Sequence, residues 1–251
     1  MGEAASSNSL WRTRVEGFQN SVTVIIPTLN EGKSIATVIL ELKHLGFSNI
    51  VVIDGNSEDD TVDVAERLGV NVIHQNGSGK GDAMRQAFGD TEVNGEVILV
   101  MDADGSMNPK ETFSFLEAIQ NGVDCVKGSR FLPGAGSEDL TLFRRIGSSF
   151  FVFLVNTLWS TRYTDLCYGF AAFKRRALEK LYPHLESKNF EIETEIFIKA
   201  RKLGLKVAEI PSVELRRIHG KSNLKALKDG LRILKTIVQE FVQNNNIPPV
   251  V

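Results

Sequence analysis

Short runs of β-branched residues alternate with helical patterns between residues 22 and 101, and this alternation restricts the possible folds more than any other feature. The predicted strands are Val22–Pro27, Asn49–Asp54, Val70–His74 and Glu96–Met101. The predicted helices fill the first interval up to about His44 and then Asp59–Leu68 and Gly81–Phe88. Continuous apolar strands that alternate with helices are typical of a parallel sheet that is covered on both faces. We therefore predict an α/β fold with a mostly parallel sheet.

The pattern changes after about Gly128, where helical segments become longer. The predicted helices of this part are Leu142–Trp159, a segment that starts near Arg175, Phe190–Leu203 and a C-terminal extension at Leu224–Val242. The predicted strands are Phe170–Phe173 and Lys206–Leu215. Because no linker-like stretch divides the chain, we expect one domain over residues 21–243, with tails at residues 1–20 and 244–251.

Charge and composition exclude several classes of protein. The 251 residues carry a formal net charge of −2, so no overall charge attracts the chain to nucleic acid. Cys125 and Cys167 lack metal-ligand spacing, and we expect two buried thiols. No run approaches the roughly 18–20 apolar residues of a membrane span, so we expect a soluble or peripheral protein.

Acidic and amide side chains follow three of the predicted strands. These segments are Pro27–Glu31 (PTLNE), Asp54–Ser57 (DGNS) and Asp102–Gly105 (DADG). Ligands of open parallel sheets bind beyond the carboxyl ends of the strands. Core packing does not require this convergence of polar groups, so we predict a binding site at this edge of the sheet.

Asp102 and Asp104 are the most informative pair of residues. Side chains two residues apart in an extended segment point the same way, so these carboxylates repel each other unless a cation lies beside them. Mg²⁺ is commonly held by one or two carboxylates together with substrate phosphates and water. The pair therefore predicts a site for a divalent cation; the alternative is a solvated turn with two ordinary aspartates.

Three other polar residues have both a functional and a local interpretation. We expect Asp54 to accept hydrogen bonds from a nucleobase or ribose, although Ser57 and Asp60 beside it fit a helix cap. Glu31 is a candidate for binding the same ligand, but its spacing also fits a capping box. Lys80 opens a predicted helix, where a lysine suits an anion, and the alternative is a solvated loop lysine.

Short motifs recur in a fixed order along the chain. They are Pro27–Glu31, Asp54–Gly55, Gly79–Gly81 (GKG), Asp102–Gly105, Gly128–Arg130 (GSR), Arg144–Ser148 (RRxxS), Asp165–Phe170 (DxxxGF) and Arg217–Ser222 (RxxGxS). Together they resemble the motifs of family 2 glycosyltransferases, which have the Rossmann-like GT-A fold. Within that family the chain is most similar to dolichol-phosphate mannosyltransferases and polyprenyl-phosphate glycosyltransferases. The resemblance covers about residues 22–240.

The resemblance implies a role for each matching residue. The donor-binding residues that it implies are Pro27, Thr28, Asn30, Glu31, Asp54, Asn56, Lys80, Asp102, Ala103 and Asp104. Asp102 and Asp104 would hold Mg²⁺ or Mn²⁺. The implied acceptor- and phosphate-binding residues are Arg130, Arg145, Ser148, Arg217 and Ser222. The implied catalytic residues are Asp104, Asp165 and Arg130. Residues 21–128 would form the nucleotide-sugar-binding half of the domain, and residues 129–243 the acceptor-binding half.

Two positions depart from the pattern of this branch. Ser106 stands where relatives often carry a glutamine that reaches the metal, so we expect water to replace that ligand. Asn223 stands where relatives often carry a lysine. We therefore expect binding of the acceptor phosphate to be weaker or to use Lys221.

The resemblance implies that a sugar is transferred, with inversion, from a GDP- or UDP-sugar to a polyprenyl or dolichyl phosphate. An acceptor phosphate is already anionic and needs little help from a general base. The first alternative is a sugar hydroxyl or a small soluble acceptor, which would need a base. For base or positioning work Asp165 is the best candidate, unless it is an ordinary turn aspartate. The second alternative is a nucleotide-sugar-binding module without turnover, against which the presence of both Asp102 and Asp104 argues.

Two helical segments bear on where the protein acts. The apolar segment Leu142–Trp159 starts with Arg144 and Arg145, which suits a helix in a membrane interface, although a core helix would look similar. The last predicted helix carries the basic residues Lys225, Lys228, Arg232 and Lys235. We therefore expect a cytoplasmic protein that is peripheral on the membrane.

A run of alternating glutamates precedes the apolar face of another predicted helix. The three residues are Glu191, Glu193 and Glu195. We interpret them as mostly solvated, with a smaller chance that Glu193 belongs to the site.

Overall fold

The structure of the protein is a computed structural model that describes residues 17–220 and 222–243. Most of the two predicted tails, residues 1–16 and 244–251, lies outside the described residues, and so does Lys221 with its expected phosphate contact. A short 3₁₀ helix at Phe18–Ser21 leads directly into the first strand.

The first half of the chain consists of alternating strands and helices in the predicted order. The elements are β1 (Val22–Thr28), α1 (Ile35–His44), β2 (Asn49–Asp54), α2 (Thr61–Arg67), β3 (Asn71–His74), α3 (Lys80–Gly89) and β4 (Val97–Val100). Nearly every residue of β1, β2 and β4 is buried, as expected for strands with helices on both faces.

Five further α-helices and five further strands lie in the described part of the second half of the chain. They are α4 (Thr112–Gln120), β5 (Cys125–Ser129), β6 (Gly136–Ser137), α5 (Leu142–Trp159), β7 (Ala171–Lys174), α6 (Arg175–Leu181), α7 (Ile192–Lys202), β8 (Val207–Pro211), β9 (Val213–Glu214) and α8 (Ala226–Val242). Helix α4 and strand β5 are additions to the predicted elements. The prediction of one strand over Lys206–Leu215 is wrong, because β8 and β9 join different sheets.

Seven strands form the main sheet in the order β3-β2-β1-β4-β7-β5-β8. All neighbouring pairs are parallel except those of β7, which runs antiparallel to β4 and β5. The two short strands β6 and β9 pair in parallel beside it. The predicted α/β class with a mostly parallel sheet is confirmed.

Helices cover both faces of the sheet, and each face has its own apolar core. Alternate residues of β1 separate the two cores: Ile25 belongs to the one beneath α3 and α7, and Val24 and Ile26 to the one beneath α1 and α4. Packing on both faces fixes the strands, and therefore the positions of the loops that follow them. In the described part of the chain, no helix is long and apolar enough to cross a membrane.

Candidate active site

A cavity of about 210 Å³, which we name the polar cavity, opens beyond the carboxyl ends of β1 and β4. Seven of the predicted donor-binding residues line it: Pro27, Thr28, Glu31, Lys80, Asp102, Ala103 and Asp104. The opposite wall comes from α7 and from the loop after β9, which contribute Glu193 and Arg217. The convergence of polar groups that the strand ends predict is therefore present.

Asp102 and Asp104 line the polar cavity, and each of them forms an ion pair with a basic side chain. The Nζ of Lys80 lies 2.5 Å from Oδ1 of Asp102, and Nη2 of Arg217 lies 3.2 Å from Oδ2 of Asp104. The backbone N–H of Ser106 donates to Oδ1 of Asp104 at 2.9 Å. The two carboxylate side chains stay 28% and 19% exposed, so both can reach a ligand in the cavity.

Lys80 is buried between two carboxylates and is not a solvated loop residue. Its Nζ lies 2.7 Å from Oε1 of Glu193 as well as 2.5 Å from Asp102. Burial disfavours the charge on Lys80, but the two carboxylates outweigh burial and raise the pKa of the amine well above its usual value. A Cβ at Gly169 would lie only 2.8 Å from Oε1 of Glu193, so glycine is what leaves room for this contact.

The prediction that Glu191, Glu193 and Glu195 are mostly solvated is wrong. Their exposed fractions are 8, 7 and 1%, respectively. Glu195 accepts hydrogen bonds from the backbone N–H groups of Glu186 and Ser187, both at 2.9 Å. Burial of these charges is possible because a preceding loop donates to Glu191 and Glu195 and Lys80 of α3 pairs with Glu193; of these partners, helical spacing indicates only Lys199, which lies four residues after Glu195.

Arg217 connects two acidic groups across the polar cavity. Its Nη2 lies 2.7 Å from Oε1 of Glu31 and 3.2 Å from Oδ2 of Asp104. The backbone N–H of Ile218 donates to the carbonyl oxygen of Asp104 at 2.9 Å, which fixes the Arg217 loop over the end of β4. Burial raises the pKa of Glu31, although Arg217 partly opposes this effect.

The charge of the polar cavity suits a divalent cation. Of the residues that the structure describes, six carboxylates and three cationic side chains line it: Glu31, Asp102, Asp104, Asp139, Glu193 and Glu214, with Lys80, Arg144 and Arg217. Among the described residues, no three His, Cys, Asp or Glu side chains form a complete metal site. Two carboxylates completed by phosphate oxygens and water are a common arrangement for Mg²⁺. Asp102 and Asp104 therefore fit a metal that binds together with a diphosphate.

Three predicted donor-binding residues, Asn30, Asp54 and Asn56, do not line the polar cavity. Asp54 is buried and accepts hydrogen bonds from the backbone N–H groups of Asn56 and Ser57, both at 3.1 Å. Asn30 and Asn56 have φ of 55° and 65°, a left-handed conformation that asparagine tolerates better than most residues. The Ser57 hydroxyl accepts from the Asn30 N–H at 2.9 Å and does not cap α2. Together these contacts shape the loop of Gly55, which lines the cavity.

Arg130 is the centre of a buried ion-pair cluster behind the polar cavity. Its Nε and Nη2 pair with the two oxygens of Asp165 at 2.7 and 3.1 Å, and its Nη1 lies 3.2 Å from Oε2 of Glu214. Burial would raise the pKa of Asp165, but Arg130 outweighs burial and holds that pKa below its usual value. A buried carboxylate with a lowered pKa accepts protons poorly, so the geometry favours positioning over base work for Asp165.

Comparison with known proteins identifies the family. The model of the family described as "Glycosyl transferase family 2" matches residues 23–182, which is more than half of the chain. The chain belongs to this family. It is therefore a glycosyltransferase, as the motif resemblance implies.

Several curated glycosyltransferases are similar over most of the chain. Glycosyltransferase AglJ of Haloferax volcanii is 33% identical over 230 residues, which cover 90% of this chain and 74% of that protein. The dolichyl-phosphate hexose transferase of the same organism is 28% identical over 222 residues, with coverages of 88% and 93%. A UDP-N-acetylglucosamine–dolichyl-phosphate N-acetylglucosaminyltransferase of Methanococcus voltae is 26% identical over 213 residues, with coverages of 76% and 84%.

A solved structure shares the fold of this glycosyltransferase. Glucosyl-3-phosphoglycerate synthase of Mycobacterium tuberculosis, in complex with Mn²⁺, uridine diphosphate and glucosyl-3-phosphoglycerate, superposes with a TM-score of 0.72. The two chains are 20% identical, and the match covers 92% of this chain and 83% of the other. The GT-A fold that the motif resemblance implies is thus confirmed.

Helix α5 of the glycosyltransferase brings Arg144 to the polar cavity, where the motif resemblance implied Arg145. Arg144 lines the cavity, and its Nη1 lies 3.4 Å from Oδ2 of Asp139. Arg145 is exposed, with its guanidinium 5.8 Å from the ring centroid of Phe131. The geometry therefore favours Arg144 for the phosphate contact.

The two predicted acceptor-binding serines lie in adjoining places. Ser222 lines the polar cavity, whereas Ser148 lines a neighbouring groove between α5 and α8. Ser148 is buried, and its Oγ forms no hydrogen bond of normal geometry to any described residue, although the Cys167 thiol lies next to it.

Three further residues with carboxyl or amide side chains line the polar cavity without having been predicted: Gln75, Asp139 and Glu214. Gln75 follows β3 and donates from Nε2 to the carbonyl oxygen of Gly79 at 2.9 Å. The strand-end rule, had it been applied to the third strand, would have identified Gln75. Glu214 lies in the segment that was interpreted as one long strand, and no local pattern distinguishes it.

Proposed function

We propose that this glycosyltransferase transfers a sugar, with inversion, from a UDP- or GDP-sugar to a polyprenyl phosphate in the presence of Mg²⁺ or Mn²⁺. One observation supports the acceptor. Among the described residues, every carboxylate that lines the polar cavity lies within 3.4 Å of a lysine or arginine nitrogen. A carboxylate in contact with a lysine or arginine takes up a proton less readily, and although burial raises the pKa of Glu31 and Glu193, each must release its cationic partner before it can act as a general base. The cavity therefore suits an acceptor that is already anionic and not a hydroxyl that must lose a proton.

The donor end of the cavity is formed by β1, β2 and β4. Pro27, Thr28 and Gly55 would contact the nucleoside, and Asp102 and Asp104 would hold the metal. A bound metal would supply positive charge to the diphosphate leaving group as the sugar bond breaks. The proposal agrees with the solved structures of glucosyl-3-phosphoglycerate synthase, which contain Mn²⁺ with UDP or UDP-glucose.

The acceptor end of the cavity carries Arg144 and Arg217. Guanidinium groups stay charged and offer forked donors, so they suit a phosphate that must be held and oriented. An oxygen of that phosphate attacks the anomeric carbon while the bond from this carbon to the nucleoside diphosphate breaks, and no proton has to be transferred. Arg130 would not contact the acceptor directly; with Asp165 and Glu214 it would hold the cavity wall behind the acceptor end in place. The relatives named as dolichyl-phosphate transferases support a lipid phosphate as the acceptor.

The same proposal places the protein on the cytoplasmic membrane surface. Large apolar side chains are exposed along two neighbouring helices: Leu142, Phe143, Ile146, Phe150 and Phe153 on α5, and Leu227, Leu231, Val238, Phe241 and Val242 on α8. Contiguous exposed apolar surface marks an interaction site. Lys225, Lys228 and Lys235 of the α8 region are exposed beside it and suit anionic lipid headgroups.

The test is a transfer assay with a labelled donor. Purified protein with Mn²⁺ receives a labelled UDP- or GDP-sugar and a polyprenyl phosphate in lipid vesicles, and we expect label in the organic phase. The Asp104→Asn variant should lose about 100-fold or more of this activity, because a metal ligand is removed. Asp63→Asn, an exposed site on α2, is the matched control. Transfer only to water-soluble acceptors would contradict the lipid acceptor, and tight donor binding without turnover would contradict catalysis.

A further inference from the structure

A second cavity, the α5–α8 groove, lies between the two helices that expose apolar surface. Its volume is about 280 Å³, and most of its wall is apolar. Phe143, Phe150 and Phe151 of α5 face Leu227 and Leu231 of α8 across it. An open apolar groove of this size is unfavourable in free energy, because its walls contact water unless a ligand covers them.

The α5–α8 groove is continuous with the polar cavity. Arg144, Cys167 and Leu224 line both of them, so the two cavities meet at these three residues. Arg144 ends the polar side with a guanidinium group, and the wall beyond it is mostly apolar, with Arg130, Ser148 and Asp229 as its polar members. A ligand that fits both cavities must carry an anionic group at one end and an apolar chain directly attached to it.

Two glycines inside helices keep the α5–α8 groove open. Gly147 of α5 and Gly230 of α8 both line the groove, and each lies in the interior of its helix. Glycine inside a helix destabilises it relative to alanine, so local stability does not favour these two residues. A Cβ at Gly147 would meet no atom within 4 Å, and one at Gly230 would lie 3.7 Å from Cζ of Phe151. Packing therefore allows larger side chains at both positions, and these would fill the groove.

We propose that the α5–α8 groove holds the isoprene units next to the phosphate of the acceptor. This inference rests on the proposed function and adds the site of the lipid tail. The phosphate lies at the Arg144 junction, the first isoprene units lie between α5 and α8, and the rest of the chain leaves along the exposed apolar surface of these helices. The enzyme thus recognises part of the tail itself, independently of a membrane.

The test uses prenyl phosphates of increasing length in detergent-free buffer without vesicles. The probes are dimethylallyl, geranyl and farnesyl phosphate, with Mn²⁺ and the labelled nucleotide-sugar. We expect the acceptor KM to fall by at least about tenfold from dimethylallyl to farnesyl phosphate, because each added unit leaves water for an apolar wall. An acceptor KM that does not change with chain length would overturn the groove assignment and leave the proposed function intact.

Filling the groove should abolish this dependence on length. In Gly147→Leu the ratio of the acceptor KM for dimethylallyl phosphate to that for farnesyl phosphate should fall towards one. Ser149→Leu adds the same side chain at an exposed site on α5 and should keep the wild-type ratio. The melting temperature shows whether each variant folds, and Gly230→Leu is a second way to fill the groove. A wild-type ratio in folded Gly147→Leu and Gly230→Leu would refute the assignment. Glycosylation of soluble hydroxyl acceptors, with no prenyl phosphate accepted even in vesicles, would refute the proposed function and the tail site together.

Discussion

Replacing Lys80 by methionine tests how strongly the polar cavity depends on one buried cation. The Nζ of Lys80 lies 2.5 Å from Asp102 and 2.7 Å from Glu193, and the lysine and glutamate side chains are only 9% and 8% exposed. Methionine keeps most of the length and apolar volume of lysine, so the main loss is the charge. Without that charge, Asp102 and Glu193 face each other with no cation between them.

The expected magnitude follows from burial. Removing one partner of a buried ion pair costs about 3–5 kcal/mol, and the 28% exposure of the Asp102 side chain places the cost near the lower end. A loss of about 3 kcal/mol in the free energy of unfolding corresponds to a fall of roughly 6–12 °C in melting temperature for a chain of this size. Adding Glu193→Gln to Lys80→Met should recover about 1–2 kcal/mol, because the repulsion between the two carboxylates disappears.

Urea unfolding and thermal melting in EDTA measure these changes without bound metal. Lys180→Met on α6 replaces an exposed lysine and should stay within about 0.5 kcal/mol of the wild type. The four proteins of the cycle are the wild type, the two single variants and the double variant. The idea that Lys80 and Glu193 stabilise each other would be refuted by a Lys80→Met variant as stable as the Lys180→Met control. It would also be refuted if the stability changes of the two single variants simply add in the double variant.

Three further changes test other parts of the structure. Asp165→Asn should lower the free energy of unfolding by about 3 kcal/mol, because the Arg130 guanidinium loses the carboxylate with which it forms two hydrogen bonds. Since Arg130 lowers the pKa of Asp165, this pair stabilises the wild type above the unfolded aspartate pKa of about 3.9 and is lost as pH falls through the lowered folded pKa. Unfolding curves at decreasing pH should therefore show an acid-dependent loss that is smaller in the variant. Gly169→Ala should lower the stability by about 1–3 kcal/mol, because its Cβ would lie 2.8 Å from Oε1 of Glu193; an unchanged melting curve would contradict this. Phe153→Glu should reduce sedimentation with anionic vesicles several-fold at an unchanged melting temperature, and equal sedimentation would contradict the membrane surface.

The sequence predicts the fold best where the pattern is local. The helix Leu142–Trp159 has the predicted bounds, because its apolar run is long and Thr141 caps it. Strand β5 was missed because Lys127 and the glycine after it interrupt its apolar run. Lys127 is nevertheless fully buried, since Glu209 of β8 lies 3.1 Å from its Nζ. That partner comes from a distant part of the chain. By contrast, α4 carries ordinary helical spacing of its apolar residues, so its signal was present in the sequence.

The residues of the candidate site are likewise predictable where they depend on local sequence and not where they depend on tertiary packing. Asp102 and Asp104 follow a strand, and strand direction alone brings them to the correct edge of the sheet. Glu193 reaches the same cavity from α7, which depends on how that helix packs against α3. The choice between Arg144 and Arg145 depends on the rotation of α5, which tertiary packing determines. Adjacent residues of a helix point about 100° apart, so a motif match cannot decide between them.

The surplus of acids in the polar cavity connects the metal with both substrates. In the described part of the chain, the six carboxylates that line this cavity exceed its three cationic side chains, and this surplus disfavours the entry of a nucleoside diphosphate on its own. In the proposed function, a divalent cation held by Asp102 and Asp104 would offset this surplus, and the diphosphate would in turn complete the coordination that two carboxylates leave open. Metal and donor should therefore each increase the affinity for the other, because such coupling is reciprocal. Under the proposed function, the acceptor phosphate takes no part in this exchange, and this would be a physical reason for the two arginines, Arg144 and Arg217, that we assign to its end of the cavity.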